Sequence, residues 1–261
     1  MLGQDSLEHA VRASGIAVPP VFLEETGSTS VEARALADAG APEWTLVAAG
    51  HQTAGRGRMG RRWTSAPGRA LLFSTVLRPA LSPEDAAVIS LLAATEMAAA
   101  CGRVAGVEVR SEWPNDLVAG MNRKVGGVLT ESAVVDATID YLVLGIGVNV
   151  SMEPDDFPDQ IRSTATSLSM EGEAPDPVDL LEGFLGGFRD AYQPAGDGFP
   201  AAVVGRYRNV CATLGRRVRA TVLDGSTVDG SAVDLDDRGG LVVETDGGRQ
   251  TVAFGEIAHL D

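Results

Sequence analysis

The sequence predicts an α+β protein in two parts: a mixed strand-and-helix domain over residues 1–213 and a small β-barrel over residues 214–261. Three observations carry this. Candidate strands and helices alternate as far as Val210. From Leu214 the texture changes to short strands separated by Asp-Gly (224–225), Arg-Gly-Gly (238–240) and Asp-Gly-Gly (246–248), which are hairpin signals. Finally, 44% of the 261 residues are hydrophobic, enough for a sizeable core, and no internal repeat interrupts the pattern.

In chain order, Val21 to Glu25 reads as a first strand. Gly27-Ser28-Thr29-Ser30 then precedes a helix over Val31 to Ala39, closed by Gly40, so the hydroxyls fit ordinary helix capping. Thr45 to Ala49 and Ala70 to Arg78 are apolar strands, the latter stopped by Pro79. Ser82-Pro83-Glu84 opens a buried helix with a serine cap, a first-turn proline and an acid at the positive end; its body runs from Ala86 to Cys101 and Gly102 is the expected stop. Val107 to Arg110, Val128 to Val135 and Ile139 to Val150 read as strands, with turns at Gly120 and Asp136. Residues 151–177, rich in Pro, Asp, Ser and Met, read as a loop over the site. Helices follow over Val178 to Tyr192 and Pro200 to Val210. The C-terminal strands are expected at Val218 to Leu223, Thr227 to Leu235, Gly240 to Thr245 and Gln250 to Phe254.

Charge and composition exclude several functions. A net charge of −15 opposes duplex DNA and an anionic membrane surface. No stretch reads as long and apolar enough to cross a bilayer, and Asp5, Glu8 and His9 occupy the place of a signal peptide's apolar region. Cys101 and Cys211 follow no spacing pattern and read as reduced thiols in a cytoplasmic protein. His9, His51 and His259 are too scattered for a zinc site. The chain contains a single lysine, Lys124, among 21 basic residues. Lysine and guanidinium differ in reach and geometry, so Lys124 is a candidate for a position arginine cannot fill, chance survival of a compositional bias being the competing reading.

The most distinctive stretch is His51 to Trp63. Three glycines (Gly55, Gly57, Gly60) alternate with four arginines (Arg56, Arg58, Arg61, Arg62). Such glycine density disfavours helix and strand, so a mobile cationic surface loop is expected. Arginine forks suit phosphate or carboxylate, and glycine lets backbone N–H groups approach an anion. Trp63 could stack on a base or close the loop on the core; an Arg-Gly nucleic-acid tether is the competing reading. Three polar loops, Ser28 to Ser30, Gln52 to Trp63 and Asn115 to Lys124, together supply hydroxyls, an amide, arginines, a carboxylate and a lysine. That set suits a carboxylate substrate with a nucleoside triphosphate, although no Walker pattern or full dinucleotide fingerprint is present.

These residues resemble a known family. The run Gly55-Arg56-Gly57-Arg58-Met59-Gly60-Arg61-Arg62-Trp63 is similar to the signature of biotin–protein ligases. So are Gly27-Ser28-Thr29, Trp113-Pro114-Asn115-Asp116, Arg123-Lys124-Val125-Gly126-Gly127-Val128-Leu129 and Gly145-Ile146-Gly147-Val148-Asn149, in the family's order across about residues 21–261. The resemblance implies a mixed-sheet catalytic domain like that of class II tRNA synthetases followed by an SH3-like barrel. It implies ATP- and Mg2+-dependent formation of biotinyl-5′-AMP, then transfer of biotin to a lysine of a biotin carboxyl carrier protein domain.

By motif, Ser28, Thr29, Ser30 and Gln52 fall at the ureido end of biotin, with Gly55, Gly127, Leu129 and Gly145 also at the biotin pocket. Arg56, Arg58, Arg61, Trp63, Asn115 and Asn149 fall at the adenylate, Lys124 between carboxylate and α-phosphate, and Asp116 at the metal side or as a base. The catalytic group implied is Lys124, Arg56, Arg58 and Asp116. Two positions depart from the pattern: Ser30 stands where the family usually has asparagine, and Glu112 where it usually has lysine. The first implies weaker biotin anchoring; the second implies weaker ATP binding or a pairing of Glu112 with an arginine. About twenty residues precede the first strand, too few for a DNA-binding helix-turn-helix, so a ligase without a repressor role is expected. Lipoate–protein ligase of the same fold and an RNA-binding protein are the alternatives, and monomer and homodimer both remain open. If the Gly55–Trp63 loop is ordered by an anionic adenylate, its amides gain protection when biotin and ATP are added; hydrogen exchange measures this, and equal protection in both states counts against it.

Overall fold

The computed structural model describes residues 2–222, 225–253 and 255–260. Helix α1 (Gln4–Ala13) precedes β1 (Val21–Thr26), α2 (Thr29–Asp38), β2 (Leu46–Gln52) and β3 (Ala70–Leu77). Then come α3 (Ala87–Ala105), β4 (Val109–Glu112), β5 (Asp116–Ala119), β6 (Arg123–Val135) and β7 (Thr138–Asn149). Helices α4 (Leu168–Glu171), α5 (Pro177–Ala191) and α6 (Phe199–Arg208) lead to β8 (Arg217–Val222), β9 (Thr227–Leu235), β10 (Leu241–Thr245), β11 (Gly248–Val252) and β12 (Gly255–His259).

The first seven strands form one mixed sheet in the order β1-β2-β3-β7-β6-β5-β4. Only β1 and β2 are parallel, joined by the α2 crossover; the remaining neighbours are antiparallel. Strand β3 is buried along its whole length because both faces are covered. Leu71, Phe73 and Leu77 join the main core with α3, α5 and α6, while Val76 joins Ala33 and Ala37 of α2 in a smaller cluster on the other face. The five C-terminal strands form a separate antiparallel sheet in the order β11-β10-β9-β8-β12. This is the α+β arrangement expected, and the small sheet is consistent with an SH3-like barrel.

Several details differ from the sequence reading. Ser82 caps a short 3-10 turn at Pro83–Asp85, and α3 runs past Gly102 to end at Gly106, whose φ of 64° suits a glycine C-cap. By length and composition Pro83–Ala105 would suit a bilayer, contrary to expectation. Yet 67% of its apolar window is buried in the protein, against α5, α6 and the sheet, so it is the central core helix. Helix α1 and strands β5 and β12 differ from that reading; β5 is four residues long and follows directly on the turn at residues 113–115. Residues 151–177 do not cover the cleft described below. They pack on themselves through Met152, Phe157 and Ala165. Leu223, Asp224 of the Asp-Gly turn, and Phe254 at a predicted strand end lie outside the described residues. Both cysteines are free and buried, and burial pushes the Cys101 thiol up to about 12, which keeps it inert at neutral pH.

The small sheet is fastened to the large one. Its apolar residues Val218, Ala220, Leu235 and Val243 belong to the same core as α3. Trp113, 2% exposed, donates its indole N–H to the Gly239 carbonyl at 2.9 Å. Arg208 pairs with Asp234 at 2.8 Å. Trp113→Phe keeps an aromatic side chain but removes the indole N–H and strands a buried carbonyl, so thermal or denaturant unfolding should show a loss of at least about 1–3 kcal/mol.

Candidate active site

A cleft of about 920 Å³, partly open to solvent, lies where α2, the arginine loop, the Trp113–Asp116 turn and β12 meet over β6 and β7. One end is a cluster of small polar groups. The Thr29 backbone N–H and hydroxyl both reach Gln52 Oε1, at 2.7 and 3.1 Å. Ser74 Oγ, from β3, lies 2.9 Å from Thr29 Oγ1 and 3.0 Å from Ser30 Oγ. Ser28 occupies the N-cap position, but its hydroxyl makes no capping bond and is buried without a protein partner among the described residues. A buried hydroxyl left unpaired at a cleft wall is costly unless a ligand or water completes it. Capping is therefore not the use of these hydroxyls.

Room for this cluster comes from a glycine. Gly145 is the register partner of Ser74, and a Cβ there would lie 2.7 Å from Ser30 Oγ and 3.3 Å from Ser74 Oγ. Two residues along β7, a Cβ on Gly147 would lie 2.7 Å from the Trp63 ring, so the indole rests on bare backbone. The Trp63 indole N–H is also buried without a protein partner among the described residues.

The arginine loop is folded back on itself rather than open. Arg56 and Arg62 form an antiparallel bridge, Trp63 N–H donates to Gly55 O at 2.9 Å, and Arg58–Gly60 make a 3-10 turn. Arg56 makes a two-pronged contact with Glu131 at 3.0 and 3.3 Å. Arg58 donates to Asn115 Oδ1 and to the Gly255 carbonyl, each at 3.2 Å. Burial lowers the Arg58 pKa from its ordinary value, opposed by nearby Glu256 and Asp116. Arg61 pairs with Glu256, and Arg62 donates to the Thr53 carbonyl at 2.8 Å. The loop's cations are thus held at the cleft by carboxylates and carbonyls, a poor arrangement for a free nucleic-acid tether.

Lys124 lies in the cleft with Nζ 2.7 Å from Asp116 Oδ1. Its placement depends on a bulge. The β5–β6 register shifts between Leu117, opposite Gly126, and Val118, opposite Lys124, leaving Val125 as an extra residue. Strict alternation would put Lys124 on the face opposite Gly127; instead its chain passes Gly127, whose added Cβ would lie 3.6 Å from Lys124 Cε. Residues 164–166 brace the bulge from outside: Lys124 N–H donates to Thr164 O at 2.7 Å, and Thr166 N–H donates to Lys124 O at 2.8 Å.

Of the site residues read from sequence, Ser28, Thr29, Ser30, Gln52, Arg56, Arg58, Arg61, Trp63, Asn115, Asp116, Lys124, Gly127, Leu129 and Gly145 line this one cleft. Gly55 and Asn149 do not. Gly55 is buried behind the loop, where a Cβ would meet the Trp63 carbonyl at 2.6 Å. Asn149 is buried and donates to Thr166 O at 2.9 Å, so it supports the segment that braces Lys124. Glu112 pairs with His259 at 2.6 Å rather than with an arginine, joining the cleft to β12. Ser74, Glu131 and Glu256 escaped the sequence reading. A hydroxyl inside the apolar run Leu71–Leu77 was the only signal for Ser74; the two acids carry none.

Comparison with known proteins agrees with this geometry. A family model described as the biotin/lipoate A/B protein ligase family matches residues 29–149, and one described as the biotin protein ligase C-terminal domain matches residues 213–260. The chain is 35% identical to a bifunctional ligase/repressor of Bacillus subtilis, over 91% of this chain and 73% of that protein. It is 32% identical to a biotin–[acetyl-CoA-carboxylase] ligase of Paracoccus denitrificans, over 90% of this chain and 98% of the relative. The chain belongs to the biotin protein ligase family. In structure it is similar to the biotin protein ligase of Aquifex aeolicus in complex with biotin and ATP, with a TM-score of 0.75, 26% identity, and coverage of 92% of this chain and 97% of that one. Within the family the bare backbone at Gly145 has a direct test. In Gly145→Ala, Ser30 must rotate off Ser74, so biotin affinity by titration calorimetry should fall about tenfold or more while the protein still folds. Wild-type affinity would show that the position tolerates a side chain.

Proposed function

We propose that this chain activates biotin with ATP to give biotinyl-5′-AMP and pyrophosphate, and then transfers biotin to a lysine of a biotin carboxyl carrier domain. The observation that carries the proposal is the shape of the cleft's polarity. Small neutral hydroxyls and an amide occupy one end, and the only lysine of the chain lies in the same cleft beside Arg56 and Arg58. This matches a ligand with a polar uncharged ring and an anionic tail. The ureido ring would sit against Ser28, Thr29, Ser30 and Gln52. Lipoate has no such ring, and the hydroxyl cluster would have nothing to bind.

In the first step a biotin carboxylate oxygen attacks the α-phosphorus and pyrophosphate leaves. Negative charge develops between carboxylate and α-phosphate, where the Lys124 ammonium, released from Asp116, would stabilise it. Arg56 and Arg58 would exchange Glu131 and Asn115 for ligand oxygens, and Trp63 would pack beside the adenine. In the second step the acceptor lysine's neutral amine attacks the acyl carbon, AMP leaves, and the amine gives up its proton. Asp116, which lines the cleft beside Lys124, would serve as a base or metal-side carboxylate.

Among the described residues no three His, Cys, Asp or Glu gather to hold a metal. Magnesium commonly takes only one or two carboxylates with phosphate oxygens, and Asp116 fits that role for Mg2+ arriving with ATP. Bound there, the ion would offset phosphate charge. Glu256 and Ile257 of β12 line the cleft, so a C-terminal domain over residues 214–261 would form part of the active site rather than a detached appendage. Two free buried cysteines fit a reducing, cytoplasmic setting, and the net charge of −15 supports a ligase that does not bind DNA.

Incubation with biotin, ATP and magnesium should yield biotinyl-AMP by mass spectrometry; its absence from folded protein would overturn the proposal. Lys124→Arg keeps the charge but replaces a compact ammonium with a planar fork. Pyrophosphate release should slow by about 2–4 kcal/mol of transition-state stabilisation, with little change in melting temperature. Wild-type release from the folded variant would return Lys124 to compositional accident.

A further inference from the structure

We propose that Ser74, on β3 beneath the cleft, is a positioning residue that sets the hydrogen-bond polarity of the ring-binding end, so that Ser30 and Thr29 present lone pairs rather than protons to the ligand. This rests on the biotin reading above and adds to it a residue that does not itself line the cleft.

The argument is donor counting. A hydroxyl has one hydrogen to give. The Thr29 backbone N–H donates to Gln52 Oε1, which fixes the amide with its carbonyl oxygen toward α2. Thr29 Oγ1 lies 3.1 Å from the same oxygen, which can only accept, so Thr29 donates its hydrogen there. The 2.9 Å contact between Thr29 and Ser74 must then run from Ser74 to Thr29. With the Ser74 hydrogen committed, the 3.0 Å contact with Ser30 runs from Ser30 to Ser74. The only order that satisfies every contact is Ser30 to Ser74 to Thr29 to Gln52. Ser74, Thr29 and Ser30 are 0%, 3% and 6% exposed, so bulk water has little access to reverse it.

The consequence is a recognition pattern. Ser30 and Thr29 offer only lone pairs, and so select a ligand N–H. Gln52 has its amide nitrogen left over, and Ser28 an uncommitted hydroxyl; both can donate to a carbonyl. A cyclic urea carries N–H groups flanking one C=O, the complement of this wall. A ring without N–H would leave buried lone pairs unpaired, which is the strong form of discrimination. Without Ser74, the Ser30 hydrogen would lose its buried acceptor and turn to the cleft, donor against donor.

The test is titration calorimetry of biotin and desthiobiotin, which share the urea, with wild type, Ser74→Ala, Ser74→Thr and the Ser30→Ala/Ser74→Ala double variant. In Ser74→Ala, both ligands should weaken by the same factor, about ten- to a hundredfold. Ser74→Thr retains the hydroxyl and should stay within about fivefold of wild type. The double variant should bind no more weakly than Ser74→Ala, since the misdirected proton is gone. The KM for ATP at saturating biotin should hold steady in every variant. Wild-type affinity in Ser74→Ala, equal losses in Ser74→Ala and Ser74→Thr, a double variant weaker than Ser74→Ala, or a matching rise in the KM for ATP would overturn the proposal. Wild type that takes neither ligand would refute the biotin reading, and this inference with it; wild type that binds both beside an unaffected Ser74→Ala refutes the inference alone.

Discussion

The cleft depends on a stretch of sheet without side chains. Strands β6 and β7 pass Gly127 opposite Gly147 and Leu129 opposite Gly145, under the point where α2 and the arginine loop descend. Strands lie about 4.8 Å apart and side chains alternate between faces, so a glycine opens a hole on one face only. At Gly145 the hole admits the Ser30 and Ser74 hydroxyls, and at Gly147 it admits the Trp63 ring. A side chain at Gly145 would push the Ser30 hydroxyl aside, and one at Gly147 would displace the Trp63 ring. The depth of the cleft, and the burial that gives its polar groups their energetic weight, follow from that.

The second dependence is electrostatic. The protein carries a net charge of −15, yet the cleft collects Arg56, Arg58, Arg61 and Lys124. Each is matched within the protein, Arg56 by Glu131, Arg58 by Asn115 and the Gly255 carbonyl, Arg61 by Glu256, and Lys124 by Asp116. Partly exposed pairs of this kind contribute little to stability, so exchanging them for phosphate and carboxylate oxygens costs the fold little. The same pairs hold the loop against the cleft. Glu112 likewise has a partner, the His259 ring of β12 at 2.6 Å.

Much was legible from the residues alone. Alternating strand and helix signals followed by hairpin turns gave the two-part α+β order, because local propensity and turn chemistry act over a few residues. The ordered motifs named the family, and most of the residues they pointed to share one cleft. The errors have local causes. Gly102 looked like a stop because glycine weakens helices, but burial of α3 against α5 and α6 overrides one weak residue. Residues 151–177 read as a loop over the site from their Pro, Asp, Ser and Met content, whereas Met152, Phe157 and Ala165 give them a small core of their own.

What the sequence determined by itself was the order of the main elements, most of the chemical inventory of the site and the family, all properties of residues read one neighbourhood at a time. Tertiary structure alone decided which face Lys124 serves, since one extra residue at Val125 inverts a period-two pattern. It also decided that Asn149 supports rather than lines the cleft, that Glu112 meets His259, and that Ser74 lies beneath Ser30 and Thr29. These are contacts between residues 17 to 147 positions apart. They exist only once sheet register and packing have brought distant strands to within a hydrogen bond of each other, and no local pattern encodes that distance.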